Sequence, residues 1–272
     1  MWRKLSLGLL VLALTACAGL SPEQRRQTAE KMAGEAGWHS IAFPGDDFVL
    51  RGYVPKTQRD SDLLTIYIEG DGLAWIAPHR ASLDPTPRHP IALQLALRHP
   101  SGAAAYLARP CQYVAEEENR NCQTTWWTDR RFATEVVQAT SRAVDQLKQR
   151  FHAQRIVLIG YSGGGAIAAL LAAQRKDVAR LVTVAGNLDH VLWTQRHHVA
   201  PLTGSLNPAD AWQALIDIAQ VHFVGENDSI VSREVAEAYI ARFPADRQPQ
   251  LRIIEGFDHA CCWVEKWSQL YH

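Results

Sequence analysis

Gly160-Tyr161-Ser162-Gly163-Gly164 sets a serine among small residues in the pattern G-x-S-x-G, an arrangement that lets a hydroxyl stand clear of a tight turn as a nucleophile. Arg155-Ile156-Val157-Leu158-Ile159 reads as a buried strand entering the motif, and Ala166 to Ala173 as a helix leaving it. In such a strand-turn-helix, side chains at the glycine positions would collide with the neighbouring strand and helix. The backbone N–H of Gly163 then faces the oxygen of an attacked carbonyl, with the positive end of the helix behind it. A phosphate-cradling loop is the competing reading of a glycine-rich turn, but the segment has neither a G-K-[ST] ending nor a G-x-G-x-x-G register.

With these residues the chain resembles the α/β-hydrolase superfamily, and the resemblance runs from near residue 40 to His259. It implies a nucleophile, an acid and a histidine in that chain order. The acid falls in the turn Gly225-Glu226-Asn227-Asp228, where Asp228 is the choice and Glu226 the competitor. The histidine falls after a last strand, in Gly256-Phe257-Asp258-His259. Of eleven histidines, position singles out His259, because His222 lies within a strand and His197 and His198 lie in an irregular segment. Asp228 would orient the imidazole, and His259 would act as general base and then general acid. The second oxyanion donor is implied in Glu69-Gly70-Asp71-Gly72, with Asp71 preferred and Gly72 the runner-up. Here Glu69 stands where many members carry histidine before the glycine. Trp75, Trp126, Trp127 and Trp193 are candidates to line an acyl pocket, Trp75 first because it follows the oxyanion loop. The implied chemistry is acyl transfer from an ester or related acyl compound, small molecule or lipid, with no metal or organic cofactor.

Behind these residues the sequence alternates short β-branched or aromatic runs with helical patterns, the signature of a mainly parallel sheet with helices on both faces. Eight strands are expected, at 40–43, 48–54, 63–69, 103–107, 155–160, 180–185, 221–225 and 250–254. The first two have no room for a helix between them and predict a hairpin. Val136, Val137, Thr140, Val144, Leu147 and Phe151 recur at helical spacing. The stretch 187–210 has no clear period and reads as a lid-like insertion.

The chain's start carries a different message. Arg3 and Lys4 precede the apolar run Leu7–Leu14, too short to span a bilayer, which ends in Leu14-Thr15-Ala16-Cys17. That box resembles the lipobox of bacterial lipoproteins, implying removal of residues 1–16 and lipidation of Cys17. Residues 17–38, with a capped helix start at Ser21-Pro22, read as a tether and residues 39–272 as the hydrolase domain. Ala18 after the cysteine favours the outer membrane, facing the periplasm, in a host with two membranes. With 28 basic and 28 acidic residues, nothing points to nucleic acid.

In an exported chain the four remaining cysteines favour disulfides. Cys111 and Cys122 flank a polar stretch that a bridge would close into a surface loop, while Cys261-Cys262 would be a vicinal pair or two free thiols. No C-x-x-C spacing suggests a metal. Lipase, thioesterase, peptidase and acyltransferase chemistry, or a scaffold that binds without turnover, share this sequence pattern.

Overall fold

The computed structural model describes residues 19–45 and 47–271. The leader and Cys17 lie outside the described residues.

A seven-residue strand β1 (Trp38–Pro44) turns back into β2 (Val49–Pro55), antiparallel, with Trp38 opposite Pro55 and Pro44 opposite Val49. β2 also meets β6 (Ala103–Leu107) antiparallel, through Gly52 and Tyr53. All later pairings in this sheet are parallel: β6 with β3 (Leu63–Ile68), β3 with β7 (Arg155–Tyr161), then β8 (Val178–Val184), β9 (Ala219–Gly225) and β10 (Gln250–Ile254). The strand order is β1-β2-β6-β3-β7-β8-β9-β10, so the eight expected strands form one sheet, mainly parallel.

The central strands are buried along nearly their whole length because helices cover both faces. One face carries α3 (Thr134–Phe151), α4 (Gly163–Gln174) and α6 (Arg233–Ile240). The other carries α1 (Pro22–Glu35), α2 (Ile91–Leu97) and α7 (Trp263–Leu270). α3 is amphipathic and buries the apolar positions whose spacing predicts it. α4 is buried all round from Gly163 to Ala172, as a helix with no polar face must be.

The structure departs from the sequence reading in three elements. α1, read as part of a tether, packs on the domain: Ala29 and Ala33 are buried, and Arg25 donates to the Thr86 carbonyl and to Asp84 at 3.2 Å. The stretch 187–210 is not irregular throughout. It holds α5 (His190–Arg196), capped by the Asp189 carboxylate accepting from the N–H groups of Val191 and Leu192. A small hairpin, β4 (Trp75–Ala77) with β5 (Arg80–Ala81), stands apart from the main sheet.

Cys111 and Cys122 are disulfide-bonded across 11 residues, and Cys261 and Cys262 are bonded to each other. A cross-link across a loop this short removes unfolded-state entropy worth about 3 kcal/mol. The double variant Cys111→Ser/Cys122→Ser is therefore expected to lose about that much in urea unfolding, and a loss below about 1 kcal/mol contradicts a structural role for the bridge.

Candidate active site

Each residue of the site sits just past the carboxyl end of a parallel strand, where the loops of an open α/β sheet leave a crevice. Ser162 joins β7 to α4 with φ +51° and ψ −121°, a left-handed conformation that costs a non-glycine residue energy. The packing around it enforces that conformation. A Cβ on Gly160 would collide with the Gly164 carbonyl, and one on Gly164 with the carbonyls of Ile68 and Glu69. Ser162 donates its backbone N–H to Val184 O at 2.9 Å, while its carbonyl accepts from Gly165 and Asn187.

Asp228 follows β9 and is buried. Its Oδ1 accepts from the N–H groups of Ile230 (2.9 Å) and Val231 (2.8 Å), leaving Oδ2 for His259 Nδ1 at 2.8 Å. A carboxylate accepts only, so Nδ1 carries the proton and Nε2 is an acceptor. Ser162 Oγ lies 3.0 Å from that Nε2. The structure thus brings Ser162, His259 and Asp228 into one chain of hydrogen bonds from residues as far apart as 97 positions. Glu226 is exposed and accepts from Gly256 N–H at 3.3 Å, away from the imidazole. His222 lies inside β9, where burial pushes its pKa down to about 3, and its Nδ1 pairs with the Thr183 hydroxyl.

Among the described residues, the backbone N–H groups of Gly163, Asp71 and Gly72 donate to no protein acceptor. Asp71 lies directly against Gly163, since a Cβ on Gly163 would run into its carboxylate. That carboxylate is clamped by Arg131 Nη1 at 2.8 Å and Arg109 Nη1 at 3.2 Å. Burial alone would raise the Asp71 pKa, but the two guanidiniums outweigh it and hold the carboxyl below its ordinary range. Arg109 also donates to the Arg131 carbonyl, and Arg131 to Thr128 O at 2.6 Å. These arginines carry no local sequence signal, because they reach Asp71 across 38 and 60 residues.

Glu69 is buried beneath the same loop. Its Oε1 accepts from the N–H groups of Gly70 (3.0 Å) and Ala92 (3.3 Å), and its Oε2 from the Tyr106 hydroxyl (3.1 Å). It therefore joins the Glu69–Gly72 loop to the start of α2. Tyr161, the variable residue before the serine, stacks beside His259 with ring centroids 5.4 Å apart and donates its hydroxyl to the His259 carbonyl at 3.1 Å.

The cleft over Ser162 has a volume of about 400 Å³, with Leu73, Trp75, Ile91, Trp193, Ile230 and Val231 among its apolar walls. Trp193 is fixed by its indole N–H on Ile230 O at 2.7 Å, so α5 forms one wall, tied to the loop that holds Asp228. Trp126 and Trp127 do not reach the cleft. Both are buried, Trp126 edge-on to Phe48 and Trp127 donating to Ser82 O. A roomier hollow of about 670 Å³ lies beside α5 against His190, Thr194, Leu202 and Asn207, but it contains none of the three linked residues. Among the described residues no group of three or more His, Cys, Asp or Glu is gathered to hold a metal ion.

This architecture is the α/β-hydrolase fold. The family model described as "alpha/beta hydrolase fold" matches residues 118–200, the segment containing Ser162. Among solved structures, the chain resembles Est1E from Butyrivibrio proteoclasticus with a TM-score of 0.57 and 15% identity, over 85% of this chain and 94% of that one. It resembles an alpha-beta serine hydrolase homologue from Coxiella burnetii with a TM-score of 0.58 and 14% identity, over 85% and 94%. With the Pyrococcus furiosus esterase Pf2001 the TM-score is 0.59 and the identity 13%, over 87% and 91%. No curated protein matches the chain by sequence.

Burial pushes the Glu69 carboxyl up to about 7, against the opposing pull of the Gly70 and Ala92 N–H groups and the Tyr106 hydroxyl. Between its ordinary value of 4.5 and that value, the folded chain holds a proton that the unfolded chain has released. Glu69 therefore makes the fold lose stability as pH rises through this window. Glu69→Gln keeps the shape without the titration. Its melting temperature relative to the parent chain is expected to climb across that window and level off above it, whereas a difference independent of pH would exclude this role.

Proposed function

We propose that this chain is a serine hydrolase that cleaves a carboxylic ester or related acyl bond through an acyl-enzyme intermediate. The observation that carries this reading is the unbroken run from Asp228 through His259 to Ser162, ending at a hydroxyl in a strained turn with unpaired N–H groups beside it.

In this reading Ser162 Oγ attacks the acyl carbon as its proton passes to His259 Nε2. Asp228 stabilises the imidazolium that forms and holds its orientation. The carbonyl oxygen gains negative charge as the tetrahedral centre develops, and the Gly163 and Asp71 N–H groups receive it at the start of α4. His259 then gives its proton to the leaving alcohol, the C–O bond breaks, and the acyl group remains on Ser162. Water loses a proton to the same imidazole as it attacks the acyl carbon; the bond to Ser162 Oγ then breaks, His259 returns the proton to that oxygen, and the acid leaves. A scaffold that only bound ligands would have no use for a strained serine in contact with an oriented histidine, so turnover is favoured over pure binding.

The location belongs to the same proposal. Cys17 at the end of its lipobox-like leader would carry the acyl anchor, hanging the domain from the bacterial envelope, on the outer membrane where the host has two. Among the described residues no helix is long and apolar enough to cross a membrane.

Alanine at Ser162, His259 or Asp228 should each lower kcat for an activated short-chain ester by about 10³-fold or more, with little change in folding. Glu226→Ala should stay within about threefold of the parent chain, since it lies outside the hydrogen-bonded run. Full activity in Asp228→Ala with loss in Glu226→Ala would reverse the assignment of the acid, and full activity in Ser162→Ala would end the serine mechanism.

A further inference from the structure

The hairpin β4–β5 has no place in the core. It is closed at its base by Ser82 N–H on Ala74 O and Leu73 N–H on Pro85 O, and every residue from Trp75 to Arg80 is exposed. Trp75 and Ile76 show 45% and 43% of their surface to solvent, and Leu83, just past the hairpin, shows 90%. A two-stranded hairpin is marginal in water by itself, and three exposed large apolar side chains within the nine residues 75–83 mark a contact surface.

The start of the described chain lies against this same region. Gly19 is beside Arg88: a Cβ on it would sit 3.3 Å from the guanidinium. Arg25 ties α1 to Asp84 and Thr86. Leu20, 48% exposed, follows Gly19 directly and precedes Ser21, the N-cap of α1. The charges in this region are unbalanced. Between residues 73 and 89 the one acid is Asp84, already held by Arg25, while Arg80 and Arg88 have no carboxylate partner among the described residues. His79 and His89 add imidazole hydrogen-bond donors. Trp75, Arg88 and His89 also line the cleft over Ser162, so this apolar and cationic surface is the rim of the site.

We propose that the hairpin, with Leu83 and Leu20, is a lipid-docking surface that sets the mouth of the Ser162 cleft on an anionic bilayer. Three observations select a bilayer over a protein partner. The apolar side chains project from a hairpin and its flanking loop, as side chains that enter a lipid surface do. An indole and two unpaired arginines accompany them, the combination that suits the headgroup region of an anionic leaflet. The chain also enters here: Gly19 is two residues from Cys17, at most about 7 Å of extended backbone. An acyl anchor on Cys17 would therefore hold this face toward the membrane. The orientation rests on the reading of Cys17 given above. Combined with the serine hydrolase reading, it assigns the substrate class: esters of long acyl chains resident in the leaflet, whose acyl group enters past Trp75 without crossing water.

The test uses the full chain with an environment-sensitive fluorophore on Ile76→Cys or Leu83→Cys, and on Lys176→Cys in the exposed loop between α4 and β8. Vesicles of phosphatidylcholine with and without phosphatidylglycerol supply the bilayer, and flotation reports attachment separately. Emission at positions 76 and 83 should shift to the blue and brighten about twofold or more on anionic vesicles, with no change at 176, as insertion into the headgroup boundary requires. Floating protein with unchanged emission at 76 and 83, equal changes at all three positions, or failure to float overturns the proposal. In parallel, Ile76→Asp/Leu83→Asp should cut hydrolysis of a vesicle-embedded long-chain ester about fivefold or more while leaving a soluble short-chain ester within about twofold. Equal loss on both substrates also overturns it. A parent chain inactive on the soluble ester defeats the hydrolase reading instead, and the fluorescence still judges the surface.

Discussion

Two backbones approach each other closely at the centre of this molecule, and the site depends on that approach. The end of β3 lays the Ile68 and Glu69 carbonyls against Gly164 in the first turn of α4, so close that even a methyl group there would collide with them. This contact fixes the Glu69–Gly72 loop relative to Ser162, because Asp71 then falls against Gly163 with the N–H groups of both residues unpaired. The left-handed backbone of Ser162 is the local cost of the same turn, sustained by the hydrogen bonds that Ser162 makes with Val184, Gly165 and Asn187.

Two acids near the turn, Glu69 buried and Asp71 half-buried, behave in opposite ways, and the difference lies in their partners. Asp71 faces two guanidiniums and stays ionised, locking the loop through charge-assisted hydrogen bonds. Glu69 has only N–H and hydroxyl donors around it, so burial favours its neutral form. Breaking the Asp71 clamp would leave arginine charge buried without its partner, which is more costly than losing a surface ion pair. The Glu69–Gly72 loop is thus held from below by a carboxyl whose charge burial disfavours and from the side by an ionised one.

Much of the fold was legible because its elements announce themselves by period and composition. The β-branched runs gave the eight strands, and α3 alternates buried and exposed positions at helical spacing. The expectation of Ser162 rests on its glycines, and those of His259 and Asp228 on their order after late strands; the folded chain links the three side chains by hydrogen bonds. α2 was silent because Ile91–Leu97 is apolar on nearly every side and follows Pro90 without a side-chain cap. The β4–β5 hairpin was hidden by its size and by Pro78 at its tip. α5 was obscured by the two histidines and the proline that follow it, although Asp189 caps its first turn. Arg109 and Arg131 could not be read from spacing at all, since only the folded chain brings them to Asp71.

The central claim is that the Ser162 hydroxyl is a nucleophile activated by His259. Treating the purified chain with a fluorophosphonate and locating the adduct by peptide mass spectrometry tests it most directly. The account predicts a single adduct on Ser162 whose formation collapses in His259→Ala. No adduct on Ser162, or labelling that proceeds unchanged without the imidazole, would contradict it.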